Sequence, residues 1–442
     1  MTDRTRMAGQ GKLAMLGGAR TVTKQDVTKA LTGWPVVTER EHAALRDVLD
    51  GGLFTSNDGG RGEVSKLQTE WARYVGTRHC AAVANGTAAL ELALAALDLE
   101  PGAEVLVPAL TFVGSAVPII QRALKPVFVD IDPWTYTIDP TAAEKAVTGR
   151  TRAVIAVHLH GLPCDMTAIA ALADRHGLYV IEDAAQAQGA TYQGRRAASL
   201  GHINAVSLNV VKNLPTCGEG GLVTTDDEAL HERVVLHRQF GEELKPGRDR
   251  DYLSRVPAGN EKLSAVQAAF TRCQLERLDS DSAARDTVVR RFLDRLDALP
   301  GVVVPGCPED RTHAWHILRL RFDPAAAGYP ELAPGAFRAV VQRALRAEGV
   351  PVQPYQVVPL PGQQAFHDVG ADIGDFPVSL AVIDESVTLQ RWHLNPACGP
   401  VLDLCATAFD KVWGQLDTLA PVIASARHRP LWHTAVNGGA AR

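Results

Sequence analysis

The sequence predicts an α/β fold with a mostly parallel sheet and a smaller second α/β unit towards the carboxyl terminus, on three observations. Short Val/Ile/Ala-rich runs alternate with longer helical patterns from about Cys80 to Thr225, the signature of a parallel sheet covered by helices on both faces. Near Asp279 the pattern changes to a charged helical segment followed by short strands. The chain has 442 residues, 46% apolar and 21% charged, enough for two or three folded units with buried cores.

Taken in order, the apolar runs predict strands at His79 to Ala84, Glu104 to Pro108, Lys125 to Asp130, Ala153 to Leu159, Tyr179 to Glu182, Ala205 to Leu208 and Gly221 to Thr225. Helices are expected between them at Thr87 to Leu97, Ser115 to Leu124, Thr141 to Val147 and Met166 to His176. Beyond Asp279 come a helix at Arg285 to Leu299, strands at Val302 to Val304 and Ile317 to Phe322, and a helix at Ala336 to Glu348. A Pro/Gly-punctuated stretch, Val350 to Gly362, follows, and the second unit closes with a helix from Ala406 to Ala420. The expected organisation is an amino-terminal arm (1–40), a large unit (41–280), a small unit (281–426) and a tail (427–442). The first 30 or so residues and the tail, with its Gly438-Gly439 pair, read as arms or frayed ends.

Composition excludes several classes of function. Lys plus Arg number 45 and Asp plus Glu 50, a net charge of -5, which offers no footprint for nucleic acid. The apolar stretch Ala81 to Leu99 is interrupted by Asn85, Glu91 and Asp98, so no membrane span is expected. Met1 to Lys12 lacks the apolar core of a secretory signal, and cytoplasmic residence is the expectation. The seven cysteines are dispersed, without a C-x-x-C pair, and read as reduced, mostly buried thiols rather than a disulfide framework or a zinc site.

Three features could carry chemistry. Asn85-Gly86-Thr87 is a small polar turn between a strand and a helix, where free amides and a hydroxyl form a phosphate cradle. Asp183 ends a buried strand, at the edge where open α/β sheets place ligands. Lys212 lies between an apolar strand and the glycine-rich turn Gly218 to Gly221, where desolvation would make its amine nucleophilic. Each alone has a plainer reading: a helix N-cap, a capping carboxylate, a solvated lysine. Together they are the parts that hold pyridoxal phosphate, with the cradle for its phosphate, the carboxylate for its ring nitrogen and the lysine for a Schiff base.

At this point the sequence resembles the DegT/DnrJ/EryC1/StrS family of pyridoxal-phosphate aminotransferases acting on keto sugars and keto cyclitols. The resemblance is collinear from roughly Gly51 to Asp279, with a short further match near the amino terminus and weaker similarity beyond. It is carried by Leu13-Ala-Met-Leu-Gly-Gly18, Asn85-Gly-Thr-Ala-Ala-Leu90, Pro108-Ala-Leu-Thr-Phe112, Val157-His-Leu-His-Gly161, Glu182-Asp-Ala-Ala-Gln-Ala-Gln-Gly-Ala190, Gly218-Glu-Gly-Gly221 and Gly259-Asn-Glu-Lys-Leu-Ser264. It implies an aspartate aminotransferase-like (fold type I) architecture. It also implies Lys212 as the Schiff-base lysine, Asp183 on the pyridinium nitrogen, Gln186 on the ring hydroxyl and Phe112 stacked on the ring. Gly86, Thr87 and Ser207 would hold the phosphate, with Asn260 reaching it from the neighbouring subunit of a homodimer.

The chain departs from the family at Gln188 (commonly His), Lys262 (commonly Arg) and Leu208 (commonly aromatic), positions expected to border the substrate. His158, His160, His316, Tyr355 and His393 are further candidates for the site or for the core. The implied activity is ping-pong transamination from glutamate or glutamine to a keto sugar or cyclitol in bacterial secondary metabolism. The rivals are a pyridoxal-phosphate dehydratase or lyase, and a non-catalytic cofactor-binding regulator.

Overall fold

The computed structural model describes residues 11–31, 33–56, 60–243 and 250–433. Strands β1 (His79–Val83), β2 (Glu104–Pro108), β3 (Lys125–Val129), β4 (Thr151–Val157), β5 (Tyr179–Asp183), β6 (Ile203–Ser207) and β7 (Gly221–Thr225) form one seven-stranded sheet. Their order is β1-β7-β6-β5-β4-β2-β3. Only β7 runs against its neighbours, pairing antiparallel with β1 and β6; the remaining pairs are parallel. The period of two explains why these runs are apolar throughout. Ala81, Val83, Val105, Val107, Ala153 and Ile155 face one core, while Cys80, Ala82, Leu106, Val154 and Ala156 face the clusters on the opposite side.

A second, antiparallel sheet has the order β8 (Val302–Val303), β9 (Ile317–Phe322), β10 (Ser386–Gln390). The helices Leu278–Asp297, Pro334–Ala347, Gly399–Trp413 and Leu416–Ala424 pack with it around a separate core. The expected β-strands and helices of the first sheet appear within a few residues of their predicted limits. The exception is Ser115 to Leu124, which is a 3-10 turn at Val113–Ser115 followed by a short helix at Val117–Gln121.

Two further expectations are corrected. The single helix predicted at Ala406 to Ala420 is two, separated at Gly414 and Gln415, where glycine's poor helix propensity marks the break. The amino-terminal stretch is not frayed over its described part. Leu13 and Val22 are fully buried in the second core, flanking a 3-10 turn at Ala14–Leu16, and a helix follows at Lys24–Leu31. Glu348, at the end of the helix Pro334–Ala347, fixes this stretch. Its carboxylate accepts from Ala14 N at 2.7 Å, Thr21 N at 3.2 Å, Thr21 Oγ1 at 2.8 Å and Lys411 Nζ at 2.9 Å. The first ten residues and the Gly438-Gly439 tail lie outside the described residues.

All seven cysteines are free thiols, five of them buried; Cys217 is exposed and Cys307 half-buried. Among the described residues no helix is long and apolar enough to cross a membrane.

Candidate active site

The parallel strands β2, β4, β5 and β6 run in one direction, so the residues at and just beyond their carboxyl ends share one edge of the sheet. Thr111 and Phe112 follow β2, Val157 ends β4, Asp183 ends β5 and Ser207 ends β6. The second sheet faces this edge with the end at which Ile317 of β9 pairs with Gln390 of β10. Between them lies a cavity of about 770 Å³. Lys212, Asp183, Gly86, Thr87, Phe112, Gln186 and Ser207 all line it.

The helix Gly86–Leu97 begins at this cavity. Asn85 is its N-cap, its side chain accepting from Ala88 N at 2.8 Å. The capping reading of Asn85 is therefore right, and it leaves the N–H groups of Gly86 and Thr87 for an external acceptor. Glycine is required here by close approach. A Cβ on Gly86 would stand 2.6 Å from Ser207 Cβ, and one on Gly221 would stand 2.4 Å from Asn85 O. These contacts bring the helix start, Ser207 and the first residue of β7 together into a cradle with two amides and a hydroxyl.

Asp183 is buried. Its Oδ2 accepts from Ser115 Oγ at 2.7 Å and its Oδ1 from Ala185 N at 3.1 Å, and Ser115 Oγ is itself 3.1 Å from Thr111 Oγ1. The carboxylate is thus oriented by neutral donors and keeps acceptor capacity towards the cavity. Lys212 is half-buried in the loop after β6. Its N–H donates to Asn209 O at 2.8 Å, Val210 N to Gly218 O at 2.9 Å and Asn213 Nδ2 to Ala314 O at 2.7 Å, so the backbone on both sides of the lysine is pinned. Burial drives the Lys212 pKa down to about 8, with the charges of Asp183 and Glu219 opposing the fall.

Gln186 Oε1 accepts from His160 N at 2.7 Å, and its side chain also meets the Tyr355 hydroxyl. Phe112 is 55% exposed, which rules out a plain core role. A Cβ on the neighbouring Gly114 would press within 3.1 Å of both the Phe112 ring and Thr87 Oγ1.

The other predicted residue, Asn260, is exposed, bridges Gln239 and does not line the cavity of its own chain. Of the three family departures, Gln188 and Leu208 lie off the cavity, contrary to expectation, and Lys262 does not line the cavity of its own chain. Gln188 is buried and donates to Ser207 O at 2.6 Å and Ala185 O at 3.2 Å. Leu208 is fully buried in the core, and Lys262 lies 4.5 Å over the Phe240 ring. Gln188 thus supports the wall from behind through Ala185 and Ser207. His316 and Tyr355 do line the cavity, whereas His158, His160 and His393 do not. His158 Nε2 meets Glu182 Oε1 at 2.8 Å while its Nδ1 accepts from Cys164 N, a core arrangement. His160 Nε2 accepts from Arg319 Nε at 3.0 Å. Burial, followed by the nearby Lys212 and Arg391 charges, pushes His316 well below the usual histidine range.

Ser115, Asn209, Glu219, Gln390, Arg391 and Trp392 also line the cavity without having been singled out. Ser115 falls at the start of the helix expected at Ser115 to Leu124, which hides it as a cavity residue. Arg391 offered one signal, an arginine directly after the alternating run Ser386-Val-Thr-Leu-Gln390.

The sequence profile of the DegT/DnrJ/EryC1/StrS aminotransferase family matches residues 35–395. The chain is 35% identical over 346 residues to the erythromycin biosynthesis sensory transduction protein EryC1 of Saccharopolyspora erythraea, covering 78% of this chain and 88% of that protein. It is 39% identical over 279 residues to the dTDP-3-amino-3,4,6-trideoxy-alpha-D-glucose transaminase of Streptomyces venezuelae, covering 63% of this chain and 71% of that one. Among solved structures, an aminotransferase from Psychrobacter cryohalolentis superposes with a TM-score of 0.79 at 32% identity, covering 87% of this chain and 99% of that one. The α/β architecture is that of these aminotransferases, and the chain belongs to the DegT/DnrJ/EryC1/StrS aminotransferase family.

Proposed function

We propose that the chain uses pyridoxal phosphate to move an amino group from glutamate or glutamine to a keto sugar or keto cyclitol. The observation that carries this reading is the convergence of Lys212, Asp183 and the uncapped amides of Gly86 and Thr87 on one cavity. The residues fit the cofactor's three ends. The amides and the Ser207 hydroxyl would hold the phosphate, Asp183 would pair with the ring nitrogen, and Lys212 would hold the cofactor covalently through its amine. Phe112 would cover a ring face, and Gln186 would meet the ring hydroxyl. Asn260 would reach the phosphate across a homodimer interface. Residues 41–280 are taken as the cofactor-binding unit and 281–426 as the smaller unit closing over it, in a cytoplasmic enzyme.

When bound, pyridoxal phosphate supplies an electron sink for the pair released from the donor's Cα–H bond. The chain supplies the rest. With a pKa of about 8, Lys212 Nζ is neutral often enough near neutrality to take the donor's Cα proton as general base and return it as general acid. Asp183, held by Ser115 and Ala185, keeps a negative charge fixed beneath the site and so favours protonation of the group it faces. The transamination products of the Streptomyces venezuelae relative, a nucleotide-linked amino sugar by its name, support a sugar acceptor.

The test is a two-stage assay of the purified protein supplied with pyridoxal phosphate. A visible absorbance that borohydride bleaches, one equivalent of oxo acid on adding glutamate or glutamine, and an aminated product by mass spectrometry from a panel of nucleotide keto sugars and inososes are expected. Sugar consumption without oxo acid would point instead to a dehydratase or lyase. Colourless protein that refuses excess cofactor would sink the proposal.

A further inference from the structure

We infer that Arg319 is a positioning residue that makes the hydroxyl of Tyr355 the hydrogen-bond donor to the acceptor's keto oxygen; the inference deepens the function proposed above and rests on it. Arg319 lies on β9, is 1% exposed and does not line the cavity. Its guanidinium ties β9 to three other segments. Nε donates to His160 Nε2 at 3.0 Å, in the turn after β4, and Nη1 to Ser386 Oγ at 2.6 Å, on β10. Nη2 donates to Tyr355 O at 3.2 Å and Gln356 Oε1 at 3.0 Å.

All of these partners are neutral. A buried cation held only by neutral acceptors is a poor way to stabilise a fold, because its desolvation is not repaid by an opposite charge. What the arrangement supplies is direction. An arginine can only donate, so His160 Nε2 must accept and the imidazole proton sits on Nδ1, which has no partner among the described residues. His160 is also held at a φ of 63°, a backbone conformation that residues other than glycine rarely adopt. In that conformation its N–H donates to Gln186 Oε1 at 2.7 Å.

With Oε1 taken, the Gln186 amide turns its Nε2 towards the Tyr355 hydroxyl. The contact acts to lower the tyrosine pKa, the sign of a donor at the phenol oxygen. The second N–H of the same amide remains for the cofactor's ring oxygen. Arg319 closes the circuit by holding the Tyr355 carbonyl, and the His160 and Tyr355 rings pack with their centroids 6.0 Å apart. Tyr355 lines the cavity, and with its oxygen already accepting from Gln186, its own proton is left to donate into that space. Ser115 lines the same cavity but spends its proton on Asp183. A keto sugar or cyclitol presents a carbonyl oxygen that gains negative charge as nitrogen adds to its carbon, and a fixed, neutral O–H donor is the group that stabilises this charge.

The test uses full-length protein, with an inosose and a nucleotide keto sugar as acceptor probes. Tyr355→Phe should slow amination of the probe by about 100-fold and release of oxo acid from glutamate by no more than about 10-fold. Equal slowing of the two half-reactions overturns the inference, since the hydroxyl would then serve the amino donor or the cofactor. Arg319→Met should show the same split, and the double variant should be no slower than Tyr355→Phe alone, because Arg319 acts through that hydroxyl. Losses that multiply overturn the inference by making Arg319 structural only. Two readouts need no cofactor. Nitrogen NMR of histidine-labelled protein, assigned with His160→Gln, should place the His160 proton on Nδ1, and a proton on Nε2 overturns the inference. The probe should raise the melting temperature of the cofactor-free parent and raise it less in Tyr355→Phe, the variant that stands in if Arg319→Met does not fold. Protein that refuses pyridoxal phosphate overturns the proposed function, whereas a probe-induced melting shift unchanged by Tyr355→Phe overturns this inference alone.

Discussion

Glu348 and Arg391 are both buried charges beside the three-stranded sheet, and they differ in where their partners come from. Glu348 collects every donor it needs from its own chain, two amides, a hydroxyl and the Lys411 ammonium. Among the described residues Arg391 finds one neutral acceptor and an aromatic face, with two nitrogens unmatched. The first arrangement closes on itself and locks residues 13–22 onto the core. The second is open on one side, and the side that is open is the cavity holding Lys212 and Asp183. A satisfied buried charge serves the fold, whereas an unsatisfied one at a cavity wall leaves hydrogen-bonding capacity beside the cavity.

That contrast can be broken at the cavity first. Lys212→Ala should reduce transamination by more than about 1,000-fold and abolish the borohydride-sensitive absorbance, with little loss of stability. Survival of that absorbance would mean another lysine anchors the cofactor. The pH dependence of cofactor capture is the next largest effect. With Lys212 at about 8 rather than in the ordinary lysine range, roughly a few hundred-fold more neutral amine is present near pH 7. The capture rate measured by stopped-flow absorbance should therefore climb as pH rises through about 8. Asp183→Asn should move that midpoint lower, because the Asp183 charge, with that of Glu219, opposes the fall that burial causes in the Lys212 pKa.

On the other side of the comparison, Glu348→Ala should cost about 3 kcal/mol in urea unfolding, leaving Lys411 buried without its partner, and should spare turnover per folded molecule. Burial alone would raise the Glu348 pKa, but the donors around it hold it below the ordinary value of 4.5. Its contribution is therefore complete above pH 4.5 and lost as pH falls through the lower folded value, so the parent and Glu348→Gln should converge in stability on acidification. The smallest effect is expected at the ring face, where Phe112→Leu should weaken cofactor retention by roughly 3- to 10-fold, read as the dissociation rate on dilution.

Much of this is legible in the sequence alone. The strands β1 to β7 announce themselves because a strand buried on both faces must be apolar at every position, and Val105, Leu106 and Val107 illustrate the rule. Lys212, Asp183, Gly86, Thr87, Phe112, Gln186 and Ser207 were found because each abuts a strand end or helix start with its own local pattern. The burial of Leu13 and Val22 is not legible there, because nothing near them in sequence explains it; Glu348, the residue that fixes this stretch, is 334 positions from Ala14. Gln188 and Leu208, expected to border the substrate, are buried behind it, because adjacency in sequence to a site residue places a side chain on the opposite face as readily as on the same one.

The sequence by itself determined the alternation of strands and helices, the family, and the residue types at the strand ends, because these follow from local periodicity and short motifs. Only the tertiary structure decided which charges have partners. Whether Glu348 is satisfied, Arg391 is stranded, or Lys212 is desolvated depends on groups brought together from distant parts of the chain, and the electrostatics of a buried ion are set by those neighbours rather than by the residue's own identity.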